Sequence, residues 1–315
     1  MISPFAKQEW TYLHSLINCS EYKKAIAFLE KSRLPKVEDA YEDDLYFMEA
    51  LIRVLIAQGF QVQAKVVLNR VLQRVGKFED DLKSLLVKLL IYKAQIQKGN
   101  NENHEIYKTY RKALDLLEED PNPSQSDFGW VYLGLSQVEE LVKDWEMYLI
   151  NALECFERDA NPYGKSAALN ALGIFHGRMN NKELAKEFFQ EALTLATEYN
   201  DLRRKIGIMN NISVLYYLES DNIEDIEKGV TLLSEGISIG EKIESWEYLV
   251  CLHQTCIKYY QGNNQEKKAL VHIHRLYEIQ EKRKILSKEK MLKYQSLVLQ
   301  NQILLDSIVE EYAFH

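Results

Sequence analysis

Three side-chain amides are the residues of this 315-residue chain best suited to chemistry, and that chemistry is binding. Asn170, Asn210 and Gln254 recur at steps of 40 and 44 residues. A side-chain amide offers one acceptor and two donors, which match the N–H and C=O groups of an extended peptide. If the three share one surface, they can hold a peptide backbone whatever its side chains are. The alternative is that they are ordinary solvent-facing residues of a polar surface.

Cationic and aromatic side chains at related positions extend this hypothesis. Four of them complete the predicted peptide-binding set: Arg178, Tyr217, Lys258 and Phe128. A Lys or Arg on the wall of a binding surface forms charge-assisted hydrogen bonds with carboxylates. Arg53 and Lys93 offer similar cations earlier in the chain. The predicted ligand is therefore an acidic peptide or the carboxyl terminus of one.

Motifs that carry catalysis are missing from the sequence. There is no Gly-rich phosphate loop and no His-Glu-x-x-His. The one Gly-x-Ser-x-Gly, Gly236-Ile-Ser-Ile-Gly240, falls within a helical pattern and not at the strand-to-helix elbow that positions a nucleophile. The many carboxylates fall within helical patterns, where they are typical of exposed faces. We therefore expect a non-enzymatic binding module, an adaptor or scaffold, that uses no cofactor. An enzyme subunit whose site lacks a recognisable motif is a further alternative.

A cluster of thiols and imidazoles suggests a metal site but has the wrong geometry for one. It comprises Cys251, His253, Cys256, His272 and His274. His272 and His274 lie about 200° apart around a helix, so both cannot face one ion. The four cysteines show no disulfide spacing, which is typical of free thiols in a reducing compartment. We expect packing and surface roles here and no metal.

The position of the amides depends on two antiparallel helices predicted within residues 166–200. Gly173 and Ala185 are small, so the two helices can approach closely, and Phe189 fills the space between them. The stretch 177–182 carries the residue types that end one helix and start the next. One such hairpin cannot bury its own apolar face, so further copies are required.

Copies of this hairpin recur along the chain. Gly134 to Gly173 is 39 residues and Gly173 to Ser213 is 40 residues, so the step is nearly constant. A further copy contains Ile257 and Ala269, and three weaker copies precede Gly134. Their markers are Trp10 with Ala25, Leu55 with Ala64, and Tyr110 with Ala113. The sequence predicts an all-α, right-handed α-solenoid of about seven helical hairpins.

The repeat resembles the tetratricopeptide repeat. The residues that carry the resemblance follow that family's order and spacing: Leu172-Gly173, Ala185, Phe189 and Ala192-Leu193. The resemblance implies a concave groove lined by the first helix of each pair. It also implies that Asn170, Asn210 and Gln254 point into this groove.

A second resemblance is to the cytoplasmic tetratricopeptide receptors of Gram-positive bacteria that bind short secreted signalling peptides. It consists of the ~40-residue step, the positions of Asn170 and Asn210, and an acidic, all-helical chain. Those receptors use groove asparagines on the peptide backbone, which implies the same role for Asn170 and Asn210. The resemblance makes a ligand-switched regulator the alternative to an adaptor.

The chain divides into three predicted segments. Residues 1–120 hold degenerate repeats, residues 121–283 hold clear repeats, and residues 284–315 form a C-terminal helix. Pro121 and Pro123 mark the first boundary, either as a linker between subdomains or as a longer loop. The C-terminal helix carries a broad apolar stripe, so we expect it to cap the last repeat or to contact a second copy in a homodimer.

Composition restricts the partners. The net charge is −8, so the chain lacks the overall basic surface that nucleic acid requires, and direct nucleic-acid binding is not expected. The runs Arg203-Arg204-Lys205 and Lys282-Arg283-Lys284 are interpreted as solvated helix faces. No apolar run reaches the ~20 residues of a membrane-spanning helix, and the start lacks the features of a signal peptide. We therefore expect a cytoplasmic protein without a membrane partner.

Overall fold

The computed structural model describes residues 11–13, 15–17, 24–25, 27–28, 40–57, 60–75, 82–98, 103–138, 144–217 and 222–282. All regular secondary structure in these ranges is helical. No helix among them is both long and apolar enough to cross a membrane. The predicted C-terminal helix, residues 284–315, lies outside the described residues.

Six antiparallel helix pairs follow one another through residues 40–282. Their first helices are α1 (Ala40–Ala57), α3 (Lys83–Gln97), α5 (Gln125–Leu135), α7 (Pro162–Arg178), α9 (Leu202–Ile212) and α11 (Trp246–Gly262). Their second helices are α2 (Gln61–Val75), α4 (Asn103–Glu118), α6 (Trp145–Arg158), α8 (Lys182–Glu198), α10 (Ile223–Lys242) and α12 (266–282). A π-helical turn, Ser213–Tyr217, extends α9. The predicted all-α solenoid is confirmed.

Five of the turns between these helices share one backbone geometry. Each contains a non-glycine residue with positive φ: Ala160, Asn180, Asn200, Glu244 and Asn264. The N–H of the next residue donates to the C=O five residues earlier, as from Asn181 to His176 at 2.8 Å. This bond closes a Schellman motif and satisfies a carbonyl at the helix end. Because the geometry recurs, successive helices leave their turns at similar angles.

Close contact between the helices of a pair depends on small residues. A Cβ at Gly173 on α7 would lie 2.7 Å from ring carbons of Phe189 on α8. In the next pair Ser213 occupies the equivalent position and is fully buried. Its hydroxyl donates to the C=O of Met209 at 2.8 Å and to that of Gly229 on α10 at 3.1 Å. The two pairs thus achieve the same close approach by different means.

The buried apolar residues form successive clusters along the array rather than one central core. The first cluster includes Leu13 and Ala25 from the first predicted copy, which are 2% and 0% exposed. The same cluster contains Leu117 and Val131, on either side of the two prolines. Later clusters each involve neighbouring pairs. This arrangement is typical of a solenoid, in which each repeat packs on its neighbours.

Gly173→Ala tests the close approach. The added methyl group would meet the ring of Phe189, which is 1% exposed and has little room to move. We expect a net loss of about 1–3 kcal/mol, since overpacking outweighs the ~1 kcal/mol that Ala gains over Gly in a helix. The midpoint of urea denaturation followed by circular dichroism measures this. Gly262→Ala is the control, because a Cβ there meets nothing within 4 Å. Equal midpoints for the two variants would contradict the packing argument.

A concave groove and a charged cavity on the first helices

Two of the amides predicted from the sequence, Asn170 and Asn210, lie on adjacent first helices. Each accepts a hydrogen bond from a side chain on the first helix of the following pair. Asn211 on α9 donates from Nδ2 to Oδ1 of Asn170 on α7 at 3.0 Å. The hydroxyl of Thr255 on α11 donates to Oδ1 of Asn210 at 2.9 Å. All four residues are half-buried. The Nδ2 groups of Asn170 and Asn210 make no hydrogen bond with the described residues, so they can donate to a ligand.

The contact on α11 repeats the one on α9. Asn170 is contacted by Asn211, the residue after Asn210, and Asn210 is contacted by Thr255, the residue after Gln254. Gln254 therefore occupies on α11 the position that Asn210 occupies on α9, and it is exposed. The longer step from Asn210 to Gln254 contains the π-helical turn after α9 and a second helix of 20 residues, where α8 has 17. Lys258, one turn beyond Gln254, is also exposed.

Two of the remaining predicted residues contact aromatic rings. Arg178, at the end of α7, is exposed, and its guanidinium lies 5.3 Å from the ring centroid of Trp145. Phe128 on α5 is half-buried and stacks on Tyr132 with 6.1 Å between ring centroids. The side chain of Tyr217 lies outside the described part of the chain. The structure thus places Asn170 and Asn210 on adjacent first helices, and Arg178 and Phe128 against aromatic rings.

A cavity of about 490 Å³ lies on the same helices. It is lined by Ile17, by α1, α3 and α5 and by the starts of α7, α9 and α11, and none of its described lining residues belongs to α2, α4, α6, α8, α10 or α12. The side chains important for its chemistry are Glu49, Arg53, Lys88, Tyr92, Asp127 and Arg203. Because all six first helices contribute, the cavity lies on the concave side of the superhelix. Sequence reasoning did not find it, since it draws on residues 150 or more positions apart.

Arg203 joins the two ends of the array across this cavity. Its guanidinium donates to the C=O of Ala57 at the end of α1. It also lies 3.6 Å from a carboxylate oxygen of Glu247 and 5.4 Å from the ring centroid of Tyr248. The side chain is only 16% exposed. The interpretation of the Arg203 run as a solvated helix face is therefore wrong for Arg203 itself, because curvature buries it against α1.

Two buried carboxylates give the cavity an acidic region. Glu49 on α1 is 2% exposed and accepts a hydrogen bond from the hydroxyl of Tyr92 on α3. Asp127, in the first turn of α5, is 5% exposed. Burial raises the pKa of the Asp127 carboxyl, the nearby Glu49 charge raises it further, and the Lys88 ammonium opposes both. Burial and Glu49 also raise the pKa of Tyr92, so its hydroxyl stays protonated as a donor.

A histidine pair lies at the far end of the array, between α11 and α12. The Nδ1 atoms of His253 and His272 are 2.8 Å apart, so one ring donates to the other. His253 is buried, whereas the side chain of His274 is 74% exposed and lies 3.5 Å from Glu278. In the part of the chain that the structure describes, no group of three or more His, Cys, Asp or Glu could hold a metal ion.

Comparison with solved structures relates this architecture to a known fold. The apo form of RapI matches with a TM-score of 0.60 at 15% identity, covering 89% of this chain and 98% of that one. A Rap protein complexed with competence and sporulation factor matches with a TM-score of 0.58 at 13% identity, covering 98% and 92%. No protein-family model matches the chain, and no curated protein matches it in sequence. The chain is a right-handed solenoid of the tetratricopeptide-repeat type.

The histidine pair predicts a pH dependence of stability. Burial, with the charges of His272 and Arg275, lowers the pKa of His253 to about 4. An unfolded histidine has a pKa of about 6.5, so between these values the unfolded chain binds more protons and stability falls as pH falls. His253→Asn should reduce this dependence, measured as urea midpoints at several pH values from 4 to 7. The exposed His274→Asn is the control, and identical pH profiles for both variants would contradict the assignment.

Proposed function

We propose that this chain binds an extended peptide in its concave groove as a non-enzymatic tetratricopeptide-repeat module. The observation that carries the proposal is the orientation of Asn170 and Asn210 on adjacent first helices. Their Oδ1 atoms are anchored by Asn211 and Thr255, which leaves their Nδ2 groups as donors for peptide carbonyls. Each oxygen also retains a lone pair that can accept a peptide N–H.

The spacing of these groups suits a short peptide. Packed helices lie 8–10 Å apart and an extended chain advances about 3.3 Å per residue, so adjacent amides meet backbone groups about three residues apart. Arg203, at the cavity, precedes Asn210 by seven residues on α9, or about 10 Å along the helix. A peptide of about six residues can therefore reach from the amides into the cavity.

One of the similar solved structures supports a ligand-binding role. That Rap protein was solved in complex with competence and sporulation factor. The same fold can therefore present a surface to a ligand. In this chain the residues that would bind the peptide are Asn170 and Asn210, whose oxygens are held by Asn211 and Thr255.

A ligand-switched regulator is the second candidate, and one contact favours it. Arg203 links the start of α9 to the end of α1 across the cavity. A solenoid is held mainly by contacts between neighbouring repeats, so a long-range contact of this kind sets how tightly the superhelix closes. A peptide that enters the cavity would replace or reinforce this contact. Binding would then shift the population between open and closed forms.

Removal of the two amides tests the binding proposal. The double variant Asn170→Ala and Asn210→Ala should weaken a peptide selected on the immobilised full chain from a displayed random-peptide library. Each lost backbone hydrogen bond costs about 1 kcal/mol, so affinity should fall about 30-fold in a fluorescence titration. Gln190→Ala, which removes an exposed amide from α8, is the control. A library without a specific binder, or a double variant that binds like the parent, would refute the proposal.

Arg203→Gln tests the switch. Loss of the guanidinium removes the bond to Ala57, so the radius of gyration from small-angle scattering should rise without any ligand. Adding the selected peptide to the parent should change its radius as well. The control is Arg158→Gln, because among the described residues Arg158 pairs only with Glu154, one turn away, and its side chain is 63% exposed. An unchanged radius in both experiments would favour a plain adaptor.

A further inference from the structure

Asp127 lines the cavity and carries a buried carboxylate oxygen that has no partner in the described part of the chain. The residue is 5% exposed, and its Oδ2 forms no hydrogen bond there. Its backbone N–H donates to the hydroxyl of Ser124 at 3.1 Å, so the pair caps the start of α5. On a surface helix, water would satisfy the second carboxylate oxygen. Here burial removes much of that water, and an unsatisfied buried acceptor costs free energy.

The second carboxylate strengthens the negative potential at this point. Glu49 lies close enough to contribute to the raised pKa of Asp127. It comes from α1, whereas Asp127 comes from α5, so the fold itself brings the two together. Charges that face a cavity with low-dielectric walls interact more strongly than charges in water. The pair therefore favours a positive group between α1 and α5.

None of the described cations around the cavity forms a hydrogen bond with Asp127 Oδ2. Arg203 contacts the C=O of Ala57 and Glu247. Arg204 lies 3.6 Å from Asp201. Lys88 is half-buried and forms no ion pair or hydrogen bond with the described residues, although its charge opposes the raised pKa of Asp127. Asp127 Oδ2 therefore keeps an unsatisfied acceptor site among the described residues.

We infer that the cavity binds a cationic group of the peptide, a guanidinium or an alkylammonium, with Asp127 as its principal acceptor. The inference rests on the proposed groove function and adds one subsite to it. A guanidinium can form two parallel hydrogen bonds with the Asp127 carboxylate, and Glu49 adds a second negative charge. Trp130 and Tyr163 also line the cavity, and aromatic rings attract cations. The group comes from a basic side chain or from the peptide amino terminus.

Four small probes, titrated into the full chain and followed by NMR, test this inference. They are the amides of N-acetyl-arginine, N-acetyl-lysine and N-acetyl-citrulline, and glycylglycinamide with a free amino terminus. Citrulline has nearly the shape of arginine but no charge. We expect the best cationic probe to bind about tenfold more tightly than citrulline, because charge-assisted hydrogen bonds are the stronger ones. The order of the three cationic probes distinguishes a side chain from an amino terminus.

Two variants locate the probe. Asp127→Asn should weaken the cationic probe about tenfold while citrulline binding stays the same. It should not lower the urea midpoint, because it removes a buried charge and retains a capping side chain. Lys88→Gln removes a competing positive charge and should tighten the cationic probe. Glu118→Gln, at an exposed position on α4, is the control and should change neither quantity.

The outcomes separate this subsite from the groove function. Equal affinities for arginine and citrulline, no saturable binding of any cationic probe, or unchanged arginine binding in Asp127→Asn would each overturn the subsite. A lower urea midpoint in Asp127→Asn, with probe affinities unchanged, would show that Asp127 only caps α5. In those cases the loss of peptide affinity in the Asn170 and Asn210 double variant would still stand. If the double variant also binds normally, the groove function fails as well.

Discussion

The distance between the two helices of a pair is set where a small residue meets an aromatic ring. The hypothetical Cβ of Gly173 would collide with Phe189, and that of Gly164 would lie 2.2 Å from the ring of Phe156 on the preceding second helix. These contacts hold the helix axes close, both within a pair and between pairs. Wider spacing would change the crossing angle and, repeated over six pairs, the curvature of the superhelix. The groove depends on this curvature.

Curvature, combined with a recurring turn, places every first helix on the concave side. The start of α9 is thereby brought to the end of α1, where Arg203 meets Ala57. The same approach encloses the cavity and removes Asp127 from solvent. The amides of Asn170 and Asn210 lie further along α7 and α9 than the residues of these helices that line the cavity. Under the proposed function, recognition of the peptide backbone and of its charge would take place on the same two helices.

The electrostatics of the cavity differ from the expectation based on composition. The chain carries a net charge of −8, yet Arg53, Lys88 and Arg203 line the cavity beside Glu49 and Asp127. A cavity lining with charges of both signs selects a ligand by where the ligand's charged groups lie rather than by its net charge. Exposed cations such as Lys258 suggested an acidic ligand, whereas the unpartnered oxygen of Asp127 suggests a basic group at one end of it. A short peptide can carry both.

The sequence by itself determined the helical pairs, their step and the adjacency of Asn170 and Asn210. Small residues, aromatic residues and turn residues lie within one repeat, so local spacing contains this information. Gln254 directly precedes Thr255, which contacts Asn210, as Asn210 directly precedes Asn211, which contacts Asn170. Only the tertiary structure decided that Arg203 and Asp127 are buried in one cavity with Glu49. Their burial arises from curvature accumulated over several repeats, because each repeat adds a small rotation that no local pattern records.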